Sequence, residues 1–110
     1  MTFRTVPFVF HDGQLADFTI GPRREVSITV DLDPVWNPNQ KRTVLVRFGA
    51  IRNMEVVQSF LERIVRPERA DRYLDEVQDL EYDKDRKDVI HLHLTKNGSV
   101  EIETSNVTFV

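Results

Sequence analysis

The sequence predicts an α+β fold: an antiparallel sheet of about six strands with one main helix packed on one face. Three observations carry this prediction. Apolar and polar residues alternate without a break from Glu25 to Leu32, and a period of two returns over Val44–Phe48 and Ile90–Leu94. Period-two alternation marks strands with one face on a core and the other in water, the usual state of antiparallel sheets. Between the second and third of these runs the period changes: Met54, Val57, Phe60, Leu61, Ile64 and Val65 fall at helical spacing. At 110 residues, with 40% hydrophobic and 30% charged content, the chain has the size and balance of a single globular domain spanning residues 1–110.

The elements follow in order. Phe8-Val9-Phe10 is strand-like, with Pro7 at an edge or strand start. His11-Asp12-Gly13 makes a turn in which Gly13 is free to take positive φ. Phe18-Thr19-Ile20 is a short strand that forms a hairpin with Glu25–Leu32 across Gly21-Pro22-Arg23-Arg24. A long loop from Asp33 to Arg42 holds two prolines, two asparagines and Trp36, the only tryptophan. Thr43–Phe48 is the next strand, ended by Gly49, and Asn53 is placed to cap the helix. Pro67 stops that helix, since the residue before a proline is pushed out of the α region. Ala70, Tyr73, Leu74 and Val77 repeat the helical spacing, so a second short helix is expected after Pro67. A strand resumes at Leu80-Glu81-Tyr82, followed by the charged turn Asp83–Asp88.

The last hairpin can be assigned a register. A two-residue Asn97-Gly98 turn sets Leu94 against Glu101, apolar against polar. A three-residue Lys96-Asn97-Gly98 loop pairs Thr95 with Ser99, Leu94 with Val100, Leu92 with Ile102 and Ile90 with Thr104. The second agrees with the pattern, with Gly98 at positive φ in a type I turn plus bulge. Val107 and Phe109 continue the alternation. The expected core is the helix stripe with Val26, Ile28, Val30, Val44, Val46, Phe48, Ile90, Leu92, Leu94 and Ile102.

Composition excludes several classes. Cysteine is absent, so neither disulfides nor thiolate metal sites hold the fold. The N-terminus shows no signal-peptide pattern and no apolar run long enough to span a membrane, so a cytoplasmic protein is expected. A net charge of −3 argues against a general nucleic-acid binder. Residues 1–66 carry nine Lys/Arg and seven Asp/Glu, whereas residues 67–110 carry six and eleven. The acidic C-terminal half favours a basic partner.

Four sets of residues are candidates for chemistry. The favoured register sets His93 opposite Glu101 and His91 opposite Glu103 on one face. Imidazole and carboxylate together suit a divalent metal if their tips converge; otherwise they form a solvated face of cross-strand pairs. Trp36 is either a lid folded on the core or a partner contact, because exposed tryptophans are enriched at binding hot spots. His11-Asp12 could orient a general base, but no nucleophile is tied to it by spacing, and a turn aspartate bonding the next backbone is the simpler reading. Arg63, Arg66, Arg69 and Arg72 recur every third residue, as a phosphate-binding ridge would; interleaved Glu62, Glu68, Asp71, Asp75 and Glu76 make a solvated ion-paired face the better one. The chain lacks a phosphate loop, a dinucleotide fingerprint and a His-Glu-x-x-His motif.

The His11-Asp12 start before the first hairpin, the strand end Val46-Arg47-Phe48-Gly49-Ala50-Ile51 and the closing meander of alternating Val, Ile and Phe resemble small bacterial immunity proteins. The similarity is to the immunity protein fifty family, whose members share a His-Asp start and a Phe-x-Gly-Val-like strand end. It implies binding and neutralisation of a partner toxin, with no catalysis and no cofactor. The leading expectation is therefore a non-catalytic cytoplasmic binding protein, an inhibitor of a basic partner, with Trp36, Asp83, Asp85 and Asp88 as contact residues. The alternatives are a metal-binding protein or enzyme using His91, His93, Glu101 and Glu103, and a homo-oligomeric module built on an open sheet edge or the Val107–Val110 end.

Overall fold

The structure is a computed structural model and describes residues 5–68 and 73–110. Among the described residues, seven antiparallel strands and one helix follow one another as β1 (Gly13–Ile20), β2 (Val26–Asp31), β3 (Thr43–Gly49), α1 (Met54–Glu62), β4 (Asp75–Tyr82), β5 (Val89–Leu94), β6 (Gly98–Glu103) and β7 (Asn106–Phe109). The spatial order is β6-β5-β4-β1-β2-β3-β7. The α+β prediction is met, with seven strands where about six were expected.

That order has a geometric consequence. The two edge strands, β6 and β7, are joined by only Thr104 and Ser105. In a flat sheet of seven strands the edges would lie roughly 29 Å apart at ~4.8 Å per strand. Three Cα steps from Glu103 to Asn106 reach at most about 11 Å. The sheet must therefore roll until its edges approach. Every predicted core residue except Val65 lies buried within it, together with Phe10, Leu15, Ile51 and Leu80.

Asn53 precedes α1 but does not cap it through its side chain. Its amide Nδ2 donates to the Glu101 carbonyl (2.8 Å), and its Oδ1 accepts the Glu103 N–H (2.9 Å). The Arg52 N–H donates to the Glu103 carbonyl at 2.8 Å. The chain entering α1 thus closes part of the β6 edge, which would otherwise invite pairing with another chain. Arg24 anchors this entry from β1–β2, its guanidinium donating to the carbonyls of Ile51 (2.6 Å) and Arg52 (2.5 Å).

Several expectations need correction. Phe8–Phe10 is not a strand: Phe10 is a core plug beside the Phe109 ring. Asp12, not Gly13, takes positive φ. Gly13 is needed for closeness instead, since a Cβ there would meet the Phe10 carbonyl at 2.9 Å. Helix α1 ends at Glu62, before Pro67, and Val65 is exposed. No second helix forms around Val77, which lies in β4; antiparallel pairing with β1 and β5 overrides the helical spacing there. Ala70 lies outside the described residues.

The β5–β6 register is also different. Leu94 pairs with Gly98, Leu92 with Val100, Ile90 with Ile102 and His91 with Glu101. A shift of two residues keeps every side chain on its face, so hydrophobic patterning cannot detect it. Asp75 selects it. Its buried carboxylate accepts the backbone N–H groups of Lys96 and Asn97 and the Asn97 side-chain amide (2.7 Å), which sets the turn at Thr95–Asn97. Gly98 follows at φ +86°, as a turn plus bulge requires.

Candidate functional site

The loop between β2 and β3 is built to be rigid. Its ends meet through the Leu32 N–H donating to the Arg42 carbonyl (2.6 Å). Asp33 Oδ1 accepts the Val35 N–H, and the Asp33 carbonyl accepts those of Trp36 and Asn37. Asn37, only 6% exposed, is the keystone. Its side chain accepts the Val9 N–H (2.9 Å) and donates to the carbonyls of Val9 (2.7 Å) and Asp33 (3.1 Å). A buried amide with three bonds to backbone fixes the loop against the N-terminal segment.

That loop presents large apolar side chains outward. Val35 is 79% exposed and Trp36 48%. The Trp36 indole is held in place: Nε1 donates to Asp12 Oδ2 at 3.1 Å, and the His11 ring meets it edge-on at 5.4 Å. His11 is fixed by its Nδ1 donating to the Gln78 carbonyl (3.0 Å), at an irregularity in the β4–β5 pairing. Trp36 is therefore neither the lid on the core nor a free side chain, but an oriented, half-exposed ring. His11 and Asp12 serve to orient it. At the base of the loop, Tyr73 donates to Asp31 Oδ2 (2.6 Å) and Thr43 to Asp31 Oδ1 (2.7 Å). The Tyr73 bond, then the Thr43 bond and the Arg42 charge, hold the Asp31 carboxyl below its ordinary range; the same carboxylate raises the Tyr73 phenol.

The His/Glu face does not assemble as predicted. With the shifted register His91 lies opposite Glu101, His93 opposite Ser99, and Glu103 opposite Val89. Glu101 is bound by both terminal nitrogens of Arg86 (2.7 and 3.1 Å), and Arg86 also bridges to Asp83 (3.0 Å). His91 Nε2 donates to Asp83 Oδ2 at 2.7 Å, and His93 Nδ1 lies 2.7 Å from the Ser99 hydroxyl. The two imidazoles stack with centroids 5.8 Å apart. Among the described residues, no group of three or more His, Asp or Glu side chains is placed to hold a metal ion. The carboxylates that might have closed such a site point to an arginine or to other strand positions.

In the acidic turn the Asp83 carboxylate is held by internal bonds, while residues 84–87 are exposed. Asp83 Oδ1 accepts the N–H groups of Asp85 and Arg86, both at 2.9 Å. Asp85 is exposed, and the Asp88 carbonyl accepts the Thr104 N–H and an Arg52 amine. Lys84, Arg86 and Lys87 balance the three aspartates. The His91 bond, the two turn N–H groups and Arg86 hold the Asp83 carboxyl well below its ordinary value, and Arg86 does the same to Glu101. A carboxyl depressed in the folded state stabilises it above the unfolded pKa and loses that contribution as pH falls. The expected result is a thermal midpoint that drops below about pH 4, with a shallower drop in Asp83→Asn. Identical acid slopes in the two proteins would show that Asp83 carries no such linkage.

Arg63 and Arg66, the two described members of the arginine series, do not share a helix, because α1 ends at Glu62. Arg66 lies across β1, with Nη1 2.8 Å from Asp17 and its guanidinium 4.5 Å above the Phe18 ring. Arg63 donates to the Ser59 carbonyl. Arg69 and Arg72 lie outside the described residues. Among the described residues, no helix is long and apolar enough to cross a membrane.

Asn37, Val35 and Tyr73 escaped the sequence reading. Asn-Pro at residues 37–38 signals a loop but not a buried amide, and Tyr73 fell on a helical stripe that the fold does not use. In comparisons with family models, curated proteins and solved structures, no match to this chain is found.

Proposed function

We propose that this protein is a non-catalytic binding protein whose partner docks on the Trp36 face. One observation carries the reading: a buried Asn37 fixes the loop while Val35 and Trp36 face solvent. Exposing a tryptophan forgoes burial worth about 2–3 kcal/mol, and a pre-oriented aromatic ring keeps the ordering cost of binding low. Tryptophan, tyrosine and arginine are the residue types enriched at hot spots, and Trp36, Tyr73 and Arg42 occur together in and beside this loop. The partner is a protein, and the function is inhibition by occupancy inside the cytoplasm. The acidic C-terminal half favours a basic target, and the resemblance to immunity proteins favours an inhibitory role.

The test is quantitative capture from lysate of the native host, with the wild-type chain and Trp36→Ala side by side. The expected result is a stoichiometric protein retained by the wild type and reduced at least tenfold on Trp36→Ala, as loss of a hot-spot residue worth about 2 kcal/mol requires. The thermal midpoint of the variant should stay close to wild type, because half of the ring is already in water. Equal retention by both proteins would refute a role for this face.

A further inference from the structure

At the end of the β2–β3 hairpin remote from Trp36, the outer face of the sheet carries a polar hollow of about 380 Å³. Ligand pockets begin at about 300 Å³. The strand register builds it. Ser27, Arg47 and Thr108 pair across β2, β3 and β7 in one row, and Gly49 pairs with Asn106 in the next. Glu25 lies two residues before Ser27, so it faces the same side of the sheet. Gly49 is the floor. A Cβ there would come within 2.9 Å of Asn106 Nδ2, so the missing side chain keeps the hollow open. The buried Thr104 fixes the rim: its hydroxyl donates to the Gly49 carbonyl and accepts the Asn106 N–H at 3.0 Å. The side chains of Glu25, Ser27, Arg47, Asn106 and Thr108 make no hydrogen bond or ion pair among the described residues. On the outer side of β5 and β6, by contrast, His91, Asp83, Arg86 and Glu101 bind one another.

We propose that this hollow binds a free α-amino acid. Its wall carries one positive and one negative group, Arg47 and Glu25, and the two do not pair with each other. A bare anion is repelled by Glu25 and a bare cation by Arg47, whereas a zwitterion answers both charges. Arg47 and Glu25 are diagonal neighbours on β3 and β2, with Cβ atoms roughly 7–8 Å apart. Their tips therefore reach one small molecule, in which carboxylate and ammonium stand on the same carbon. The guanidinium takes the carboxylate through two parallel N–H···O bonds. Ser27 and Thr108, on either side of Arg47, donate their hydroxyls to the same oxygens. Glu25 takes the ammonium, and the Asn106 amide oxygen is its second acceptor. This site stands apart from the Trp36 face and does not depend on it.

The test titrates the full chain, followed through its amide resonances, with each of the common α-amino acids, and with acetate and methylamine as the two halves of the ligand. At least one amino acid should shift Ser27, Arg47, Gly49, Asn106 and Thr108 saturably and leave Trp36 unmoved. Acetate and methylamine should each bind about tenfold more weakly or worse, because each leaves one charge of the site unanswered. Arg47→Gln and Glu25→Gln should each weaken the amino acid about tenfold or more. Their thermal midpoints should not change, since both side chains are exposed and unpaired among the described residues. Trp36→Ala should bind the amino acid as the wild type does, which separates this site from the loop face. The proposal fails if no amino acid gives a saturable shift at these residues. It fails if acetate alone binds as tightly, which would make the hollow an anion site only. It fails equally if Arg47→Gln or Glu25→Gln binds as the wild type does.

Discussion

Replacing Asp75 with alanine is expected to lower stability by about 3–4 kcal/mol. The carboxylate is 3% exposed and accepts the N–H groups of Glu76, Lys96 and Asn97 and the Asn97 side-chain amide. Bonds to a charged acceptor contribute about 1.5–3 kcal/mol each. They share one residue here and do not add, and the turn tip can recover some bonds from water. In a domain of this size such a loss moves the thermal midpoint by more than about 10 °C. Asp75→Asn keeps one acceptor oxygen and should lose less. Chemical denaturation of the three proteins measures the effect, and a loss under about 1 kcal/mol for Asp75→Ala would contradict the account. Amide exchange at residues 95–98 should accelerate first, because this carboxylate sets the register of the β5–β6 turn.

Asn37→Ala is expected to cost about 2–3 kcal/mol and to release the Trp36 loop. The substitution removes the partner of the Val9 N–H and carbonyl, which lie at a part-buried site against the buried Asn37, and a group left unpaired away from water carries a penalty of about 1–3 kcal/mol. Trp36 is the only tryptophan, so its fluorescence reports the loop directly. The emission should shift to longer wavelength as the ring leaves His11 and Asp12. Affinity for the captured partner should fall although Trp36 itself is retained. Unchanged emission and affinity in a destabilised variant would confine Asn37 to a structural role and remove the preorganisation argument.

Much of the sheet is legible in local pattern. Val26, Ile28, Val30, Val44, Val46 and Phe48 alternate because each strand has one face on the core, and all are buried. The α1 stripe is readable for the same reason, up to Leu61 and Ile64. The pattern failed where non-local partners decide. Val77 fits a helical repeat as well as a strand, and only its pairing with Gly13 and Leu94 makes it a strand. The site was half legible: Trp36 in a proline-rich loop is visible as a candidate, whereas the bonds that orient it come from residues at positions 9–12, far away in sequence.

By itself the sequence determined most of the extended segments, the core of α1 and most of the side chains that face inward. These are consequences of side-chain period and backbone sterics within a few residues. The tertiary structure alone decided the rest. It rolled the sheet until β6 and β7 approached, chose between two registers that bury the same residues, and placed Asp75 to select one of them. It also tied His91 to Asp83 and Glu101 to Arg86, leaving the expected metal face without a common centre. The roll follows from the short link between the edge strands, and the other outcomes depend on polar groups finding partners beyond the reach of local periodicity. Periodicity records burial, and burial is blind to which partner is found.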